Sequence, residues 1–446
     1  VRVLLVSTYE LGHQPFGLAS PAAWLRREGH QVACADLSRG ALSRQAVEEA
    51  GLVAFFLPMH TATRLAVRAI PKVRAANPGA HLCCYGLYAP VNEALLRGLG
   101  VQTILGGEFE AGLISLVQRV AAGRNGAQAE PLISLQRQQF LAPDRAGLPP
   151  LDEYVRLMDH GVRRLTGYTE ASRGCKHLCR HCPIVPVYNG VFRIVQKEVV
   201  LEDIRRQVSA GAEHITFGDP DFFNGPGHAI ALVEALHAEF PRLTYDVTIK
   251  IEHLLRHRDL LPVLKRTGCL FVTSAVESVD DAVLARLAKG HTRRDFLEAV
   301  QLARAAGLNL APTFVAFTPW TTREGYRELL RLLVDEDLVA QVAPIQLAVR
   351  LLIPAGSRLL ELEEVRALVA PFDPHSLVYP WKHPDPEMDQ LCAALQRLIR
   401  AEERQRSSRE EIFRRIWALA QDQPSAPDFH LPARSAIPYL TEPWYC

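Results

Sequence analysis

Residues 172–186 read SRGCKHLCRHCPIVP and set Cys175, Cys179 and Cys182 in a C-x3-C-x2-C spacing. The run follows a predicted strand over Gly167 to Ser172 and lies in a glycine-containing loop. Thiolates are the soft ligands that iron–sulfur clusters use. Three of them leave one iron of a four-iron cluster open to a substrate or cofactor. A structural zinc would need four closed ligands, usually in C-x2-C pairs. His177 or His181 could be the fourth, but the chain has no second C-x2-C. Three buried structural cysteines are the remaining alternative. On the cluster reading, Arg173, Lys176 and Arg180 would offset the negative charge of cluster and thiolates.

Around this loop the chain alternates short apolar runs with amphipathic stretches. Downstream, strands are predicted at His214 to Phe217, Thr244 to Ile249, Leu270 to Ser274, Asn309 to Phe317 and Pro344 to Ala348, with helices between them. Six βα units suit a partial barrel, since a complete eight-fold barrel typically needs about 250 residues. Upstream, strands are predicted at 1–6, 31–35, 52–57, 80–85 and 101–105, again separated by helical patterns. Strands alternating with helices imply an α/β layer with a mostly parallel sheet, and such sheets bind ligands at their strand carboxyl ends. The stretch 125–167 carries Gly126, Pro131, Pro143, Gly147, Pro149 and Pro150 and reads as a linker, with a short helix over Leu151 to Asp159. The expected organisation is therefore a Rossmann-like domain at 1–124, a linker at 125–167, a partial barrel at 168–360, and a helical region with a Pro-rich tail at 361–446.

The chain has 446 residues, 50 Lys+Arg against 49 Asp+Glu, and nine cysteines. A net charge of +1 argues against a general polyanion binder, so no nucleic acid is expected. No apolar run reaches the roughly 18 residues of a membrane span, and VRVLLVSTYE reads as a buried strand rather than a signal peptide. The cysteine spacing does not resemble the disulfide framework of a small secreted domain, which points to a reducing, cytoplasmic compartment. Cys34, Cys83, Cys84, Cys269 and Cys392 fall in predicted strands or helices and read as core.

The cysteine loop after the first barrel strand resembles the radical S-adenosylmethionine (SAM) superfamily over about residues 165–360, with His181 where an aromatic residue is common. The resemblance implies a 4Fe–4S cluster on Cys175, Cys179 and Cys182, with SAM chelated at the open iron. It implies SAM contacts at Gly218 and Asp219 after the second strand, at Lys250 and Glu252 after the third, and at Ser274 and Glu277 after the fourth. It adds Phe317 (with Phe314) as an adenine shelf and Arg350 as a carboxylate partner. Bland readings stand beside these: an Asp-Pro turn at Asp219, a helix cap at Glu277 and Ser278, core packing for Phe314 and Phe317, and a salt bridge at Arg350.

Residues 1–124 are similar to the cobalamin-binding domain that precedes many radical SAM barrels. The resemblance implies contacts from Tyr9, Glu10 and Gly12, Met59 and His60, Gly86, and Gly106, Gly107 and Glu108, all at strand carboxyl ends. The usual Asp-x-His-x-x-Gly is absent, so His13 is not assigned as a cobalt ligand; it and His60 could equally be polar surface residues. The run from Arg434 to Pro443 loosely resembles a Pro-Glu-Pro tail, and Cys446 could reach the barrel mouth.

The activity expected from the resemblance is reductive cleavage of SAM, followed by cobalamin-dependent methyl transfer to an unactivated carbon (or phosphorus) of a small metabolite or peptide. An external electron donor such as flavodoxin or ferredoxin is implied. The alternatives are another radical SAM reaction with a cobalamin-free N-terminal domain, or an iron–sulfur electron-transfer or sensor protein.

Overall fold

A computed structural model describes residues 1–124, 128–421 and 437–441. The tail run from Arg434 and the terminal Cys446 fall largely or wholly outside these.

Two sheets organise the chain. The first is a six-stranded sheet in the order β2-β1-β3-β4-β5-β6, formed by β1 (Arg2–Ser7), β2 (Gln31–Asp36), β3 (Leu52–Phe56), β4 (His81–Tyr85), β5 (Thr103–Gly107) and β6 (Ile133–Ser134). Every pairing in it is parallel. Strands β3, β4 and β5 are buried along their whole length. Continuous apolar strands of this kind are required when helices cover both faces of a sheet. The two faces form separate cores, one around Val6, Phe55 and Ile70 and the other around Leu5, Tyr85 and Leu113.

The second sheet runs β14-β13-β12-β11-β8-β7-β15. The strands are β7 (Arg156–Asp159), β8 (Val162–Thr169), β11 (His214–Phe217), β12 (Thr244–Thr248), β13 (Cys269–Glu277), β14 (Asn309–Phe314) and β15 (Tyr439–Leu440), while β9 (Ser172–Gly174) and β10 (Phe192–Ile194) form a separate antiparallel pair. Strands β8, β11, β12, β13 and β14 are parallel neighbours, as a partial barrel requires. The stretch read as a linker supplies β6 to the first sheet and the β7–β8 hairpin to the second, with only a single 3₁₀ turn at Leu151–Glu153.

The sixth barrel strand differs from expectation. Pro344–Ala348 forms a 3₁₀ helix, and sheet pairing at this edge shrinks to one parallel bridge between Phe317 and Arg350. The apolar run there resembles a strand, but Pro344 has no N–H for a ladder. Helices Pro386–Gln405 and Arg409–Gln421 pack Leu395, Ile399, Phe413 and Ile416 into the barrel's main core. Among the described residues, no helix is long and apolar enough to cross a membrane.

Candidate functional site

The cysteine loop leaves β9 and returns through β10, and these strands zip its two ends together with Gly174 opposite Phe192 and Ser172 opposite Ile194. Gly174 has φ +74°, and a Cβ there would lie 2.4 Å from the Tyr188 ring and 2.5 Å from the Val191 carbonyl oxygen. The crossing accommodates only glycine.

The segment following β11 grips the loop. Asp219 is buried and accepts from the Ala171 amide at 2.8 Å and the Ser172 hydroxyl at 2.5 Å. Burial pushes its carboxyl up to about 7, against these hydrogen bonds. Asn224 accepts from the Lys176 amide at 3.2 Å and donates to the Gly174 carbonyl at 3.3 Å. Asp221 Oδ2 lies 2.7 Å from His253 Nδ1 and 3.5 Å from His177 Nε2. Burial would raise the Asp221 carboxyl, but the two histidines hold it below the usual range. Thus Asp219 faces the base of the loop, and Gly218 lies so close to Tyr168 that a Cβ would fall 1.8 Å from its hydroxyl.

Burial raises the Cys175 thiol and pushes Cys182 up to about 12, with Cys179 adding to both. Left alone, such sulfurs keep their protons, and a bound metal must displace them. Three sulfurs on one loop, with no disulfide among the described cysteines, are a donor set suited to a four-iron cluster. Cys175 also lies with His177 and Asp221 in a group whose ligand atoms fall within 4.8 Å of one another.

One buried cation that couples to two of the cysteines is not singled out by the sequence. Lys289 is buried, and Glu277 (first), then Cys179 and Cys182, favour its charged form against desolvation. Its ammonium is 3.3 Å from Glu277 Oε1, which also meets His181 Nε2 at 3.1 Å. Burial alone would raise the Glu277 carboxyl, but Lys289 and His181 bring it down to about 2. Glu277 sits at a register shift in β13 with φ 70°, a strained conformation for a side-chain-bearing residue. The following helix, Asp281–Leu287, is capped by Asp280 instead, so Glu277 is not a cap.

The other cations expected to offset the cluster point elsewhere. Arg173 meets Glu110 at 2.7 Å, Glu170 at 2.8 Å and Glu108 at 3.4 Å. Lys176 donates to the Asn224 carbonyl, and Arg180 to those of Ala285 and Arg286.

Lys250 and Glu252 do meet at the barrel mouth. Lys250 Nζ is 3.1 Å from His177 Nδ1 and 3.3 Å from Glu252 Oε2. Buried Ser274 Oγ and His181 Nδ1 have no hydrogen-bond partner among the described residues. Buried polar atoms left unpaired are costly, so this mouth is suited to a polar ligand that completes them, as SAM would. Phe317 is not part of that set: it is core, 5.0 Å from the Tyr326 ring. Arg350 is engaged by Asp389 at 2.6 Å, the Trp381 carbonyl at 2.7 Å and the Trp381 ring.

The carboxyl edge of the first sheet abuts the loop. Glu108, just past β5, holds Arg173 before Cys175 and accepts from the Tyr188 hydroxyl, after Cys182, at 3.1 Å. Burial pushes Glu108 up to about 7, more than Arg173 pulls it down. At the end of β1, Glu10 Oε1 accepts from the Phe16 and Gly17 amides, while burial, then Glu170, raises its carboxyl well above the ordinary range. His13 is buried against Tyr168 rather than on the surface, and burial lowers it to about 3. Buried Ser7 Oγ, Glu10 Oε2 and His13 Nδ1 lack partners among the described residues, so this edge too can receive a large polar ligand such as cobalamin.

Other residues expected there are placed variously. Tyr9 and Met59 are half-buried, and the Gly12 carbonyl accepts from the Val155 amide. His60 is buried and lies 2.6 Å from the Ser376 carbonyl. Glycines at 86, 106 and 107 give close approach to the protein's own atoms: a Cβ would fall 3.0 Å from the Leu57 carbonyl, 2.3 Å from Pro90 and 2.2 Å from the Ser134 carbonyl, respectively.

The Radical SAM superfamily matches residues 169–333. The chain is 25% identical over 323 residues to hopanoid C-3 methylase of Methylococcus capsulatus, covering 69% of this chain and 62% of that protein. It is also 25% identical over 189 residues to tRNA-2-methylthio-N(6)-dimethylallyladenosine synthase of Geobacter sulfurreducens, covering 39% of this chain and 41% of that one. The chain thus spans less than two thirds of the length of these curated relatives. Among solved structures, the cobalamin-dependent SAM radical enzyme OxsB with aqua-cobalamin bound is similar at a TM-score of 0.70 and 14% identity, over 90% of this chain and 67% of that one. The radical SAM methyltransferase TsrM of Kitasatospora setae, with tryptophan substrate and a SAM analogue bound, gives 0.65 and 18%, over 83% and 77%. At such identities the likeness is one of fold: a Rossmann-like sheet, a curled parallel half-barrel and C-terminal helices.

Proposed function

The chain carries a radical SAM domain over residues 169–333, and from that premise we propose that it is a cobalamin-dependent radical SAM methyltransferase acting on a small molecule or peptide. One observation carries the reading: the three-cysteine loop at the barrel mouth is held at both ends by Glu108, on the carboxyl edge of the first sheet. The residues read here as the cluster side and those read as the cobalamin side thereby meet at one joint, Glu108. When bound, the cluster and SAM supply a 5′-deoxyadenosyl radical, and methylcobalamin a methyl group.

In this reading Cys175, Cys179 and Cys182 hold the cluster, and Lys289 offsets its charge. Ser274, His181, Lys250 and Glu252 line the SAM side, and Glu277 orients His181 and Lys289. Asp219 and Asn224 hold the loop in place. Ser7, Tyr9, Glu10, His13, Met59 and Glu108 line the cobalamin side. Three free thiols and an oxygen-sensitive cluster suit a reducing cytoplasm, and a one-electron donor is required.

The test is anaerobic reconstitution with iron, sulfide and hydroxocobalamin, followed by gel filtration, reduction with titanium(III) citrate, which takes the bound corrinoid to cob(I)alamin, and incubation with methyl-labelled SAM. The proposal expects a corrinoid retained near one per chain and label appearing in methylcobalamin. A chain that takes up the cluster and retains no corrinoid overturns it.

A further inference from the structure

We propose that the outer face of the cysteine loop is the docking surface for an acidic one-electron carrier protein. This rests on the radical SAM reading above, which requires a donor but does not place it.

Residues 175–197 contain four Lys/Arg (Lys176, Arg180, Arg193 and Lys197) and no Asp or Glu, in a chain whose totals are 50 and 49. Lys176 and Arg193 form no ion pair among the described residues; they donate to the carbonyls of Asn224 and of Leu135 and Phe192. Arg180 donates to the carbonyls of Ala285 and Arg286 and is partly offset by Glu361. Carbonyls orient Lys176 and Arg193 but leave their charge uncancelled. Lys197 lies 3.8 Å from Glu198, both exposed, a pair that solvent screens.

The same stretch exposes apolar surface. Of the five exposed large hydrophobic side chains described, two are here, Leu178 at 44% and Ile194 at 41%. They belong to one continuous surface. A Cβ at Gly190 would lie 3.4 Å from Leu178 and 3.6 Å from the Lys176 carbonyl. Lys176 Nζ lies 3.2 Å from the Asn224 carbonyl, and a Cβ at the next residue, Gly225, would lie 3.2 Å from Ile194. Exposed apolar residues beside uncompensated charge of one sign mark an interaction site.

The occupant follows from charge and place. Uncompensated cations select an acidic partner and steer its approach. Leu178 lies between two cluster ligands, Cys175 and Cys179, so a protein seated on it is next to the cluster. One electron then passes from the reduced carrier to the cluster; the carrier is oxidised by one electron and no proton or bond changes hands.

The probe is a purified bacterial flavodoxin, with Leu178→Glu and Ile194→Glu as variants, since both side chains are solvent-facing. Titration calorimetry on the reconstituted protein gives affinity. SAM cleavage is measured with reduced flavodoxin and, separately, with titanium(III) citrate. We expect flavodoxin binding that weakens with added salt and falls roughly tenfold or more in each variant. Flavodoxin-driven cleavage falls in step, while cleavage with titanium(III) citrate and iron content stay unchanged. Absence of flavodoxin binding, or binding unaltered in both variants, overturns the docking surface. Absence of SAM cleavage with titanium(III) citrate in the unaltered protein instead overturns the reading of function beneath it.

Discussion

Replacing Arg173 with methionine probes the joint between the two sheets. The guanidinium is 7% exposed and faces three carboxylates, Glu108, Glu110 and Glu170, plus the Ser20 hydroxyl at 3.3 Å. It also lies over the rings of Phe140, Phe109 and Phe16 at 5.0, 5.3 and 5.8 Å. Methionine keeps much of the apolar packing and removes the charge. Breaking a buried pair by removing one partner costs about 3–5 kcal/mol. At ~2–4 °C per kcal/mol, melting should fall by on the order of 10 °C. The loss should also depend on pH. Glu108 titrates near 7 in the folded chain, above its ordinary value of 4.5. Between those values the native state binds more protons than the unfolded one, so stability falls as pH rises through that window. Without Arg173 the folded value moves higher still and the window extends upward. Thermal unfolding of the apoprotein by circular dichroism, wild type beside variant at pH 6 and pH 8, should give a deficit that is larger at pH 8. A shift under about 2 °C, equal at both pH values, would refute the argument that this cation holds the joint.

Three further outcomes follow. Gly107→Ala should destabilise by about 1–3 kcal/mol, read as a lower melting temperature, because φ there is +70° and the new Cβ would fall 2.2 Å from the Ser134 carbonyl; an unchanged melt would mean β6 is not pinned there. Arg350→Ala should leave SAM affinity unchanged by calorimetry while costing roughly 1–2 kcal/mol of stability, since its partners are Asp389 and Trp381; a tenfold loss of SAM affinity would return Arg350 to the cofactor site. Glu277, depressed to about 2, contributes stability above pH ~4.5 that is lost as pH falls toward 2, so Glu277→Gln should flatten the acid limb of a melting profile, and an identical acid limb would contradict its pairing with Lys289.

The loop and the parallel strands were legible in the sequence because spacing and apolar runs are local properties. That Cys175, Cys179 and Cys182 share one loop follows from their intervals alone, and β11 matches its predicted span, His214–Phe217. The C-terminal edge of the barrel was not legible, because Pro344–Ala348 has a strand's composition but lacks one ladder donor, and a 3₁₀ turn results. Roles that depend on a distant partner were also hidden. Asp219 sits where a cofactor contact was expected, yet Ala171 and Ser172 occupy its oxygens. Gly106 and Gly107 suggested room for a ligand, and that room is taken by Pro90 and Ser134. Lys289 drew no notice because its meaning comes from Glu277 and two cysteines that meet it only in the folded chain. Its one local signal is position, in a Lys-Gly-His run two residues after the helix Asp281–Leu287 ends.

The central claim is that Cys175, Cys179 and Cys182 hold a four-iron cluster with one iron open to SAM. Electron paramagnetic resonance of the reconstituted, reduced protein, recorded with and without SAM, tests it directly. The account predicts a reduced four-iron signal whose shape changes when SAM is added and which is lost in Cys175→Ala. A signal that SAM leaves unaltered, or that survives the loss of Cys175, would contradict it.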